Sequence, residues 1–222
     1  MIKLNVISNT NKYDYLIKEF KSKILDRFEK KKIEELFRFE NNVELNMYID
    51  TKEGLDKYVL LNSESYKNTI PLWVTGFSNE ECVYVAIKED NINESITTGM
   101  HELIHLLSYH LKINGERLKL LEEGLAYYYA NQMTSGRFSL IKEDFKTNKI
   151  KKFKDLVKMN SQEFANNNGY FYGFFLIKFL NNTYNKEKSI FYIKNSKEFL
   201  KDLNKIQVEF EKYMNLEFEK YQ

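Results

Sequence analysis

The sequence predicts an α+β fold: a small mixed sheet in the first half, followed by a mostly helical second half. Three observations carry this. VELNMYID (Val43 to Asp50) and CVYVAIKE (Cys82 to Glu89) are short β-rich runs, the first strictly alternating. From Asn93 to the end the apolar residues recur at helical steps. Only one proline, Pro71, stands in 222 residues, so few helices are interrupted that way.

Taken in order, YLIKEFKSKILDRFEKKKIEELFRF places Leu16, Phe20, Ile24, Phe28 and Leu36 on one stripe, which reads as helix. Val43 to Asp50 reads as a strand. PLWV, GFSNEE and CVYVAIKE read as strand, turn and strand. Asn93 to Asn114 reads as a helix, with Asn93 or Ser95 to cap its start and Gly115 placed for the left-handed turn at its end. LLEEGLAYYYANQ (Leu120 to Gln132) reads as a second helix. The expected organisation is an α+β subdomain over 1–115 and a helical subdomain over 116–222, together one domain.

Composition narrows the function classes. Lys+Arg 34 against Asp+Glu 32 leaves a net charge of +2, so no global field argues for nucleic acid or an anionic membrane. The basic runs EKKK (Glu29 to Lys32) and KIKKFK (Lys149 to Lys154) read as solvated faces. Cys82 is the single cysteine, which rules out an internal disulfide. The first fifteen residues have no apolar core of the kind a secretion signal carries. GYFYGFFLIKFL (Gly169 to Leu180), the most apolar run, is shorter than the ~18 residues a spanning helix needs. The expectation is a soluble cytoplasmic protein.

All three histidines fall within TTGMHELIHLLSYH, Thr97 to His110. At 100° per residue Ile96, Met100, Leu103 and Leu107 share the buried stripe, while His101 and His105 project together from another, with Glu102 beside them. His110 lies about 180° from His101 and stands apart. HELIH is an H-E-x-x-H pattern: two imidazoles one turn apart bind one Zn²⁺ from the same side, and the glutamate reaches water on the metal. A catalytic zinc takes three protein ligands and keeps one open position. With no histidine left, the third ligand should be a carboxylate. Glu123 is the candidate and Glu122 the competitor, turned about 100° away. Gly124, Ala126 and Ala130 are small, which would let this helix approach the metal helix closely.

HELIH followed by LEEGLAYYYA resembles the gluzincin metallopeptidases, in particular the peptidase MA-like families whose second motif reads E-G-[apolar]-A. The similarity extends loosely from Val43 to Met214. The resemblance implies that Glu123, which touches the glycine, is the zinc ligand rather than Glu122. It implies one Zn²⁺ per chain held by His101, His105 and Glu123, with Glu102 as general base and a peptide or protein as substrate. It implies an edge strand above the metal helix, expected at Cys82 to Ile87, and a tyrosine for the oxyanion. That tyrosine matches Tyr170, with Tyr172, two residues on, as the alternative. Related enzymes have an aspartate four residues after the glutamate ligand, where this chain has Tyr127. The amine-clamping glutamate pattern of aminopeptidase relatives is missing from GFSNEE, so endopeptidase action is the expectation. Three other readings use the same residues: a regulatory protease with one protein substrate, a silent zinc-binding or interaction module on a peptidase fold, and a metal-free helical scaffold.

Overall fold

The computed structural model describes residues 2–39, 42–63 and 69–220. The chain divides into two compact units, Met1–His110 and Leu111–Gln222.

The first unit is built on a four-stranded mixed sheet in the order β1-β2-β4-β3. β1 (Ile2–Ser8) opens the chain, pairing in parallel with β2, Ile2 opposite Val43. The sequence reading did not foresee this strand. A 3-10 turn, Asn11–Leu16, leads into α1 (Ile17–Lys31) and the short α2 (Ile33–Phe37). The expected stripe of Leu16, Phe20, Ile24, Phe28 and Leu36 is buried throughout. Its helix is nonetheless broken at Lys32, which takes a left-handed conformation at φ 55°. β2 (Val43–Asp50) follows, as its alternation predicts.

α3 (Lys52–Asn62) was also unforeseen; the Thr51 side chain caps it by accepting the Gly54 N–H at 3.1 Å. PLWV is not a strand. Pro71 to Val74 forms a turn closed by Val74 N–H to the Pro71 carbonyl, 3.0 Å. The strand lies just beyond, at β3 (Gly76–Ser78), inside the stretch expected to be a turn. β3 pairs antiparallel with β4 (Cys82–Ala86), and β4 pairs in parallel with β2 on its other side. β4 is therefore an inner strand, and the edge expected at Cys82 to Ile87 belongs to β3.

α4 (Ile92–Tyr109) packs on β4, β3 and α1. Its buried stripe of Ile96, Met100, Leu103 and Leu107 is fully removed from water, at about 1.5–3 kcal/mol per large side chain. Gly99 lets Phe20 and the Met47 sulfur approach, standing 3.1 and 3.4 Å from where a Cβ would sit. The opposite sheet face carries α3, through Leu55, Val59 and Ala86. There the Tyr58 ring stacks on Tyr84 at 3.8 Å.

The second unit is entirely helical among the described residues: α5 (Lys119–Ala130), α6 (Ser135–Lys146), α7 (Phe153–Leu156), α8 (Ser161–Asn166), α9 (Gly169–Thr183), α10 (Lys186–Lys194) and α11 (Ser196–Glu219). α5 and α9 cross at two glycines, where a Cβ on Gly124 would lie 2.4 Å from the Gly173 carbonyl oxygen. The bare face of Gly124, expected to serve the metal helix, is taken by α9. Phe153, Tyr172 and Phe179 pack around Phe210 of α11 in an aromatic core. No helix among the described residues is long and apolar enough to cross a membrane.

Candidate metal centre

In the first unit, α4 begins where Asn91 accepts the Glu94 N–H at 3.2 Å, two residues before the expected cap. Ser95 then ties the helix to the sheet. Its hydroxyl accepts the Lys88 N–H at 2.8 Å and donates to the Ala86 carbonyl at 3.5 Å. α4 ends at Tyr109 with His110 as its cap residue, so Gly115, at φ 123°, belongs to the following loop. With the helix fixed at its start and along its buried face, the histidine stripe is fixed too.

His101 and His105 are half-buried, with their Nε2 atoms 3.1 Å apart and ring centroids at 4.7 Å. Two imidazole lone pairs cannot face each other at that distance without a proton or a cation between them. Tetrahedral zinc with Zn–N bonds near 2.0–2.1 Å sets its two nitrogens about 3.3 Å apart. The pair therefore fits one metal ion with a shift of a few tenths of an ångström. His110 is exposed and sits edge-on to Phe39 at 6.3 Å, away from the pair's stripe.

Glu102 lies under β3. Ser78 Oγ donates to Glu102 Oε2 at 2.7 Å. A Cβ on Gly76 would stand 2.7 Å from Glu102 Cγ and 2.5 Å from Thr98 Cγ2, so only glycine lets the strand lie this close to the helix. Thr98 also meets Thr75, hydroxyl to hydroxyl at 3.3 Å. Tyr109, the last residue of α4, is 37% exposed. Sequence reasoning missed Ser78 and Gly76. A three-residue strand with no buried residue leaves no pattern to read, and only its register shows which side chains face α4.

The ladder also sets which backbone groups stay open. Ala86 N–H donates to the Thr75 carbonyl at 2.9 Å, and Asn79 N–H to the Cys82 carbonyl at 3.1 Å. Antiparallel pairing alternates, so Thr75, Phe77 and Asn79 turn their peptide groups toward β4, and Gly76 and Ser78 turn theirs outward. Cys82 is buried on β4, its Sγ 3.1 Å from the Tyr58 hydroxyl and its thiol pushed up by burial, so it offers no ligand to the pair.

In the second unit, Glu123 is half-buried on α5. Tyr127, one turn on, stacks on Tyr170 of α9 at 5.3 Å, and the Arg137 guanidinium lies 5.6 Å above the Tyr127 ring. Burial pushes the Tyr127 phenol above its ordinary value, Arg137 opposes this, and the Glu123 charge adds to it. Glu123, Tyr127 and Tyr170 thus share one side of this unit. Tyr170 is also held edge-on by Phe164 at 5.1 Å. Glu122 points elsewhere and pairs with Arg117. Tyr172 is fully buried. Its hydroxyl, that of the alternative to Tyr170, donates to Asp144 at 3.0 Å and accepts the Lys151 N–H at 3.1 Å. Arg137 and Phe164, which frame the two tyrosines, carry no sequence pattern that would have singled them out.

Compared with protein-family models, curated proteins and solved structures, the chain matches none of them.

Proposed function

We propose that the chain is a zinc-dependent endopeptidase of the gluzincin kind, with His101, His105 and Glu123 as its metal ligands. The observation that carries this is the His101–His105 pair, Nε2 to Nε2 at 3.1 Å, beside a Glu102 carboxylate tied to the strand above it. The E-G-x-A pattern at Glu123 supports the third ligand, as does its place beside Tyr127 and Tyr170.

Zinc, when bound, supplies Lewis acidity that lowers the pKa of water toward neutrality and polarises an amide carbonyl. The chain's own residues do the rest. Glu102 accepts the proton that water loses on attack and returns it to the departing amine. Ser78 holds the carboxylate through Oε2, which leaves Oε1 for that proton. Tyr170 donates a hydrogen bond to the oxyanion. The outward peptide groups of Gly76 and Ser78 pair with an extended substrate, laying it along the strand above Glu102. Glu80 and Glu81 stand exposed in the β3–β4 turn, with no aminopeptidase motif around them, in keeping with cleavage inside a chain.

Metal analysis by mass spectrometry on chelator-free protein, paired with hydrolysis of unfolded casein, tests the proposal. About one zinc per chain and cleavage abolished by a chelator are expected. A chain without zinc that cannot be loaded would sink it.

A further inference from the structure

The backbone enters β3 through the chain's only proline and its only tryptophan. The turn from Pro71 to Val74, closed by its 3.0 Å hydrogen bond, buries Val74 and holds Leu72 and Trp73 in solvent at 88% and 71% exposure. A tight connection needs small or polar residues at its tip, and two large apolar ones held outward are a cost with no return inside the fold. Three residues after Trp73 the same segment becomes the open edge of the sheet. Thr75 at the strand's start touches Thr98, and Ser78 at its end touches Glu102. A peptide laid along that edge from Glu102 toward Thr98 advances about 3.3 Å per residue, so within about two to four residues it reaches the turn.

We infer that Leu72 and Trp73 form a docking platform for a bulky apolar side chain of the extended substrate, about two to four residues from the bond that is cut. The inference rests on the peptidase proposal and names its substrate class: unfolded, apolar peptide segments. The platform is continuous with the strand edge that pairs the substrate's backbone. It also stands in an uncharged stretch, Thr69 to Asn79.

Trp73, as the only tryptophan, reports on its own surroundings. The experiment uses the full chain carrying Glu102→Gln, so that the probe is not consumed, and a blocked hexapeptide, Thr-Val-Phe-Thr-Leu-Thr. The expected result is a saturable shift of Trp73 emission to shorter wavelength. A probe with Ser in place of Phe and Leu should bind about tenfold more weakly, and so should one N-methylated along its backbone. Leu72→Ser, which keeps the fluorophore, should weaken the apolar probe about fivefold. Equal affinity for the apolar and Ser probes overturns the inference. So does a shift produced by phosphatidylglycerol vesicles and not by peptide, or one that follows protein concentration alone, which would mark a second copy of the chain as the occupant. Failure of the peptidase proposal reads differently: the probe binds with its shift, but the unmutated chain holds no zinc and leaves casein intact. Casein cleavage with the same KM in the unmutated chain, Leu72→Ser and Trp73→Phe would leave the peptidase standing and remove the platform.

Discussion

Gly124 and Gly173 touch through their backbones: a Cβ on the first would lie 2.4 Å from the carbonyl oxygen of the second, and one on the second 2.9 Å from Gly124 Cα. The listener to such a contact is main chain, which cannot step aside as a flexible side chain can. Gly124→Ala should therefore force α5 and α9 apart despite alanine's better helix propensity. The expected loss is about 3 kcal/mol, at the upper end of the overpacking range, read by urea unfolding. Gly136→Ala is the control, because nothing stands within 4 Å of its Cβ position. A Gly124→Ala protein as stable as wild type would mean that the two helices are free to separate.

The Ser78–Glu102 hydrogen bond predicts a graded pair of variants. Glu102→Gln should keep zinc and fold while casein hydrolysis drops by about 10²-fold or more, because only the proton acceptor is lost. Ser78→Ala should also keep zinc and lose less, about three- to tenfold, because the carboxylate remains but is no longer held through Oε2. Loss of zinc in Glu102→Gln would make Glu102 a ligand and undo its role as base.

These relationships were unequally legible in the sequence. The α+β class could be read because β2 alternates strictly and α4 repeats at helical steps. The histidine pair could be read because residues four apart on a helix share a face, so one short pattern determines a geometry. β1 alternates as well, Ile2, Leu4 and Val6 with Lys3 and Asn5 between them, but Ile7 breaks the run after five residues, and only its pairing with β2 marks it as a strand. α3 escaped because it buries only Leu55 and Val59 and carries a glycine in its first turn. PLWV misled because an apolar run suggests burial, whereas here the proline makes a turn that turns two of its residues out. Gly124 shows a further limit: a small residue announces a close approach but does not name the partner.

A pH prediction comes from the second unit. Glu217 of α11 is buried, which raises its carboxyl, but hydrogen bonds and charge from Lys178 and Lys220 outweigh burial and hold it below its ordinary 4.5. A carboxyl depressed in the folded state adds stability that is fully present above the unfolded pKa and is lost as pH falls through the folded one. Stability should therefore fall with acidification below about pH 4.5, and Glu217→Gln should flatten that part of the slope. Urea titrations at pH 3, 4, 5 and 7 measure it. Parallel slopes for the two proteins would remove Glu217 from the acid response.

The last prediction separates Glu123 from its neighbour. The two carboxylates are adjacent on α5, so they diverge by about 100° and only one can serve the histidines. With the bare face of Gly124 taken by α9, the choice rests on company. Glu122 is held by Arg117, with 17% of its side chain exposed, in an ordinary ion pair worth less than about 1 kcal/mol. Glu123 lies on the side of Tyr127 and Tyr170, where its charge is felt by a half-buried phenol. Removing a metal ligand weakens binding by orders of magnitude and lowers the melting point, because the metal binds the folded chain. Glu123→Ala should therefore shed zinc and melt earlier, as His105→Ala should, and added zinc should no longer raise the melting point of either. Glu122→Ala should keep its zinc and melt within a few degrees of wild type. If Glu122→Ala lost the metal while Glu123→Ala kept it, the ligand would be the carboxylate beside Arg117, and the E-G-x-A resemblance would have chosen the wrong glutamate.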